Sequence, residues 1–333
     1  VGLQGGGPCF TVNNLTIDNN PFGEDGTSLD PAYAARLDRL IRAADALGMV
    51  AIVSYFYGDQ TARLRDGRAV RAAVTTASRF LKEGGYTNVI IEVANEHDIP
   101  PFAKHPLLFY PQGVAALNDL ARAESGGMPV GCSGKGGSVF REIAEASDVI
   151  LIHGNGCTRQ RLHNMIREVR SWGLNRPIVC NEDSQAIGQM AVTYKEGVSW
   201  GYYNNMTKQE PPVYWSVLEG EDRFFAWRMA EGIGIAVDPI PAEEQYYLQG
   251  LEPHMTDIGQ RWLRVASLHP ESIEHVDFFR NGARYDSAWD ESFMVHYQSN
   301  WRQGGVPSVS GDEWRAEIHL RDGRVIERSG VVA

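Results

Sequence analysis

Two short stretches of this 333-residue chain end an apolar run in Asn-Glu followed by more polar residues: NVIIEVANEHD at 88–98 and PIVCNEDS at 177–184. The first run, apolar at Val89, Ile90, Ile91, Val93 and Ala94, is that of a strand covered on both faces. Ionisable groups at its end must therefore sit where they are used. Two carboxylates facing one another across a cleft can share the work of breaking an acetal. One, protonated, donates to the leaving oxygen; the other, ionised, attacks or stabilises the carbon. Mutual repulsion helps to separate their proton affinities. Glu96 and Glu182 are the candidates, with Asp183 as an alternative to the second.

The elements that must position them alternate. Asp30 as N-cap, Pro31 at the first helical position and Gly48 past the end mark a helix with an apolar stripe at Leu37, Leu40, Ile41, Ala44 and Leu47. MVAIVSYFY follows with strand length and strand composition. The pattern then repeats: helix 66–84, strand 88–95, helix 112–125, strand MPVGC, helix 137–146 and strand DVILIH. Helix 158–172, strand PIVCNE, helix 185–196 and VSWGYY complete it. Such alternation implies parallel strands with right-handed crossovers. With VGLQGGG as an earlier strand and RFFAWRMAEGIG as a final helix, the count predicts a (β/α)8 barrel lacking its first strand. The strand ends carry Tyr55, Tyr57, Asn95, Glu96, Ser133, His153, Asn181, Glu182, Trp200 and Tyr202.

Beyond Val237 the pattern changes. DPIPAEE and LEPHMTD read as connectors, and from about residue 272 the period becomes that of strands, with an Asn-Gly turn in IEHVDFFRNGARYD and further alternation in SFMVHYQ and WRAEIHLRDGRVIERS. The expected domains are a barrel over 1–236, a linker over 237–271 and a small all-β, immunoglobulin-like sandwich over 272–333.

With 31 Lys and Arg against 42 Asp and Glu, the net charge of −11 argues against nucleic acid or an anionic membrane as partner. No apolar run approaches the roughly 20 residues of a membrane span. The chain opens on Val; a signal peptide removed ahead of it would imply secretion or a periplasmic location, and localisation stays open. Cys132 and Cys180 close predicted strands and read as small buried residues. GCSGKGGS lacks the spacing of a phosphate-binding loop.

Asn-Glu closing one strand and a second Glu closing a strand three later resembles the retaining clan A glycoside hydrolases, which include family 5 cellulases and mannanases. In that clan the acid/base Glu follows Asn on strand four and the nucleophile closes strand seven. Taking 49–56 as strand three makes 88–95 the fourth and 177–182 the seventh. The resemblance, over about residues 1–235, implies Glu96 as acid/base, Glu182 as nucleophile and Asn95 on the sugar 2-hydroxyl. It also implies His153 against the nucleophile, and Trp200 or Trp215 as the sugar platform; Tyr55, at another strand end, is a further aromatic candidate for substrate contact. Three departures stand out: His97 replaces a common Pro, Asp183 replaces an aromatic, and no Arg falls on the second strand. The substrate would be an oligo- or polysaccharide, with no cofactor or metal. Two alternatives remain: a sugar isomerase binding Mn²⁺ or Mg²⁺ through Glu96, Glu182, Asp183 and His153, and a non-catalytic glycan-binding protein.

Overall fold

The computed structural model describes residues 1–6, 16–203, 216–252, 256–257, 260–307 and 309–333. It divides into two compact units, the first built from residues up to His153 with Arg161–Asn181, the second from Gly154–Gln160 with Glu182–Ala333.

In chain order the first unit runs α1 (Pro31–Ala46), β1 (Ala51–Tyr57), α2 (Gly67–Gly84), β2 (Val89–Asn95), α3 (Pro106–Phe109) and α4 (Pro111–Ser125). It continues with β3 (Val130–Gly131), α5 (Arg141–Glu145), β4 (Ile150–His153), α6 (Arg159–Ser171) and β5 (Ile178–Glu182), whose last residue opens the second unit. Helix α2 shows how the local code works. Asp66 accepts from the N–H groups of Arg68 and Ala69, Gly85 takes the left-handed φ of 68° at the other end, and Ala69, Val70, Ala73, Val74, Ala77 and Leu81 form the buried stripe. Helix α1 buries only Leu37 and Ile41 of its predicted stripe. Leu40 and Leu47 are exposed, because the face that packs is narrower than the apolar pattern.

Strands β1 and β2 pair in parallel from Ala51↔Val89 to Tyr57↔Asn95, and β2 pairs with β3 at Ile91↔Val130. Asp148 and Val149 donate to Val130 C=O, joining β4 to β3, and β5 is the next neighbour of β4. On the other side Gly2 bridges Ser54 in parallel. Chain order and sheet order therefore agree from the N-terminal segment to β5. This is the winding of a barrel, since a doubly wound sheet reverses its order at a switch point. The predicted strand at 1–7 is here a single bridge. Gly131 is required at β3, where a Cβ would lie 2.3 Å from Val149 O. Parallel strands end on one side, so β2, β3 and β4 present their last residues to a common edge.

The second unit continues with α7 (Gly188–Lys195), β6 (Ser199–Trp200), α8 (Glu221–Gly232), β7 (Tyr246–Gln249), β8 (Thr256–Asp257), β9 (Gln260–Arg261), β10 (Arg264–Ser267) and β11 (Ile273–Arg280). After these come β12 (Ala283–Ala288), β13 (Tyr297–Ser299), β14 (Arg302–Gln303), β15 (Val306–Pro307), β16 (Glu313–Leu320) and β17 (Val325–Val331). Its main sheet is antiparallel in the order β12-β11-β16-β17. Asn281 and Gly282, at φ 50° and 81°, make the predicted Asn-Gly turn between β11 and β12. In SFMVHYQ, only Tyr297 and Gln298 lie in a strand, the start of β13.

Two expectations about domains are corrected. The segment 237–271 is not a free linker: β7 and β10 pair, and Tyr246, Leu248, Leu263 and Val265 join Val276, Phe278, Trp314 and Ile318 in one buried cluster. Nor does compactness change at residue 236. Helix α8 belongs with the β-rich unit, tied by Glu221 to Arg264 on β10 at 2.5 Å, with both side chains buried. The alternation of helix and strand hid this, because a helix covering a β-unit has the same period as one covering a barrel. Among the described residues no helix is long and apolar enough to cross a membrane.

Candidate catalytic carboxylates

Strand β2 alternates sides, so Glu92 and Ala94 share one face while Val93 points to the other; Glu96 is the first residue after the strand. Glu92 is buried at 3% exposure and accepts from Ser133 Oγ at 2.7 Å and from Asn181 Nδ2 at 3.3 Å. The last contact carries across from β5 to β2. Glu96 has left-handed backbone, φ 56°, which a non-glycine residue adopts only when its surroundings hold it there. The holding contacts are identifiable: Glu96 N–H donates to Ser133 Oγ at 3.1 Å, and His97 N–H donates to Ser133 C=O. One serine thus fixes the turn at Glu96 while donating its proton to Glu92.

At the Glu96 carboxylate, His153 Nδ1 lies 3.1 Å from Oε1. His153 is fully buried, whereas the Glu96 side chain is 21% exposed. The resemblance assigned His153 to the nucleophile; in the structure its ring is bonded to the proposed acid/base. His97 is buried and edge-on to Phe140, with Nδ1 on Phe109 C=O, and burial lowers its proton affinity. Asp98 turns the following loop by accepting from Lys135 N–H at 2.7 Å.

In the second unit, Glu182 accepts from Asn155 Nδ2 at 2.7 Å, and its carbonyl from Gly154 N–H at 2.8 Å. The neighbouring Asp183 is fully buried, accepting from Trp200 Nε1 at 2.7 Å and from Ser184 Oγ at 3.0 Å. Gly154 makes room for it: a Cβ there would lie 2.2 Å from Asp183 Oδ2. Asp183 is thus a buried group held by donors from Trp200 and Ser184, whereas Glu182 beside it is only partly buried.

The remaining sequence-predicted contacts divide. Asn95 closes β2, partly buried beside Glu96 and in register with Tyr57. Tyr55 is corrected: it is fully buried on the helix side of β1, with its hydroxyl on Ser78 of α2 at 3.0 Å, and burial raises its pKa. Trp200 is corrected too. At 5% exposure, flanked by Tyr202 and Phe225, it anchors Asp183 and offers no open platform. Trp215 lies outside the described residues. Cys132 and Cys180 are buried, and burial pushes the Cys132 thiol up, away from nucleophilic use. Glu92 and Asn155 were not singled out. Glu92 had a signal as the one acid inside the apolar strand 88–95; Asn155, in the loop after β4, had none.

No family model and no curated protein matches the chain. Among solved structures it is similar to an endo-β-1,4-mannanase of glycoside hydrolase family 26 from Cellulomonas fimi, at 13% identity and TM-score 0.45, covering 92% of this chain and 82% of that one. It is also similar to β-glucuronidase 2 from Bacteroides uniformis, at 10% identity and TM-score 0.43, covering 89% of this chain. The chain spans 40% of the length of that glucuronidase. A family 5 broad-specificity endoglucanase from Clostridium longisporum matches over 54% of this chain at 11% identity and TM-score 0.41.

Proposed function

We propose that the protein is a retaining glycoside hydrolase whose barrel lacks the first strand, with Glu96 as acid/base and Glu182 as nucleophile. The observation that supports it best is that each strand-end glutamate is gripped at Oε1 by a side chain from the loop or strand of β4, Glu96 by His153 and Glu182 by Asn155. A neutral amide donor favours the ionised form that a nucleophile needs. The imidazole can stabilise Glu96 in either protonation state as it cycles between acid and base.

In the first step the Glu96 proton passes to the leaving oxygen while Glu182 bonds to the anomeric carbon. In the second, Glu96 takes a proton from water, which displaces Glu182 with a second inversion. Asn95 is assigned to the 2-hydroxyl, and the substrate class is an oligo- or polysaccharide. The C-terminal β-region is assigned as an accessory, immunoglobulin-like module.

The test uses a panel of aryl glycosides with wild type and Glu182→Ala, following released phenol and any glycosyl azide formed with added azide. Turnover lost in the variant and recovered by azide as a glycosyl azide of inverted configuration supports the reading. Azide rescue in Glu96→Ala instead, with retained configuration, supports Glu96 as acid/base by the same logic. Undiminished turnover in both variants overturns the assignment.

A further inference from the structure

A second group of ligating side chains lies on the outer face of the β-sheet, apart from the carboxylates of the proposed reaction. His275 and Asp277 are two residues apart on β11 and so share a face; His319 on β16 is the register partner of His275. Their side chains are 16%, 16% and 28% exposed.

The imidazole Nε2 atoms of His275 and His319 lie 3.9 and 3.8 Å from the same oxygen, Asp277 Oδ2. These separations are too long for hydrogen bonds. All three residues offer ligand atoms within 4.8 Å of one another. An ion equidistant from atoms spaced in this way sits about 2.2 to 2.5 Å from each, beside ~2.0 to 2.2 Å for zinc bonds to imidazole nitrogen and carboxylate oxygen. Rotation of the part-exposed rings, which now stack at 4.2 Å, closes that gap.

Two further observations point to a ligand. Asp277 Oδ1 is already taken, by Arg284 Nη2 at 2.8 Å and by Ser287 Oγ, so Oδ2 is turned toward the imidazoles in the way that outer partners orient a metal-binding carboxylate. His319 Nε2, which faces that oxygen, is buried without a hydrogen-bond partner, a cost that a folded sheet ordinarily avoids. A solvated ionic cluster would close His319 onto Asp277 and leave neither gap nor orphan.

We propose that His275, Asp277 and His319 form a binding site for a divalent transition metal of the zinc class. Two nitrogens and one oxygen disfavour Ca²⁺ and Mg²⁺, which take oxygen ligands. Bound there, the metal joins β11 to β16 and stabilises the sheet, and Trp289, stacked on His275 at 4.3 Å, shields one side.

The full chain, stripped with EDTA, is titrated with zinc by calorimetry, and its melting temperature is followed. One zinc per chain and a rise in melting temperature are expected. In the His275→Ala/His319→Ala variant both should disappear, while Glu96→Gln retains them. Asp277→Asn, nearly isosteric, weakens binding about tenfold or more and covers the case where the double variant fails to fold. Zinc binding undiminished in Asp277→Asn or surviving in the folded double variant, or no heat and no rise with excess zinc in wild type, overturns the site.

Discussion

Ser133 holds two acids at once, and its position explains more of the candidate site than either glutamate alone. Its hydroxyl donates to Glu92 and accepts from Glu96 N–H, so the left-handed turn that aims Glu96 depends on an acid buried one turn deeper in the sheet. Ser133→Ala removes both bonds without adding bulk. The expected outcome is a fall in kcat of up to about 10²-fold with KM little changed, since the loss is of aim and not of substrate contact. Steady-state kinetics on whichever aryl glycoside is turned over checks this; an equal rise in KM with kcat intact would place Ser133 in binding. At this scale the sequence showed that acids stand at the ends of two apolar strands, but not which of them is held by internal donors, as Glu92 and Asp183 are. Tyr55 was misread because the sequence period fixes alternate faces without saying which face the helix covers, and Ser78 on α2 settles that.

At the scale of elements, close approach matters as much as propensity. Strand β3 is only Val130–Gly131, yet it joins β2 to β4, and Gly131 is the point of contact with Val149 O. Gly131→Ala pushes a methyl group against backbone that has no flexible end to yield, and a destabilisation of about 1–3 kcal/mol is expected. Urea midpoints of the purified variant measure it; an unchanged midpoint would show that β3 and β4 can separate freely. The helices and strands of the first unit were readable from caps and periods, α2 most clearly. The zinc-class triad was only half readable: His275 and Asp277 are spaced as strand neighbours, whereas His319 reaches them through a register that no local signal carries.

For the molecule as a whole, Glu291 links stability to pH. Desolvation raises its pKa from 4.5 to about 7, against the Gly188 N–H bond to Oε1 and the charges of Arg159 and Arg264, with Glu271 adding to the rise. The folded state therefore keeps a proton that the unfolded chain releases, so this contribution is full below pH 4.5, declines as pH rises to about 7 and is absent above. Because Glu291 as a residue is only partly buried, the effect is about 1–2 kcal/mol. Glu291→Gln should flatten that slope and raise stability at pH 8 while leaving it unchanged at pH 4; denaturant midpoints across this range decide, and a parallel slope in the variant would assign it to other groups. By itself the sequence determined the alternation of helix and strand, the sheet order that follows from it, and the acids at the strand ends, because periodicity and caps are local and parallel crossovers have one hand. Only the tertiary structure decided that Asp183 turns inward, that Trp200 serves it, that Asn155 and His153 grip the glutamates, and that α8 belongs with the β-rich unit. Those depend on which distant atoms are brought within hydrogen-bonding reach, which chain spacing does not encode.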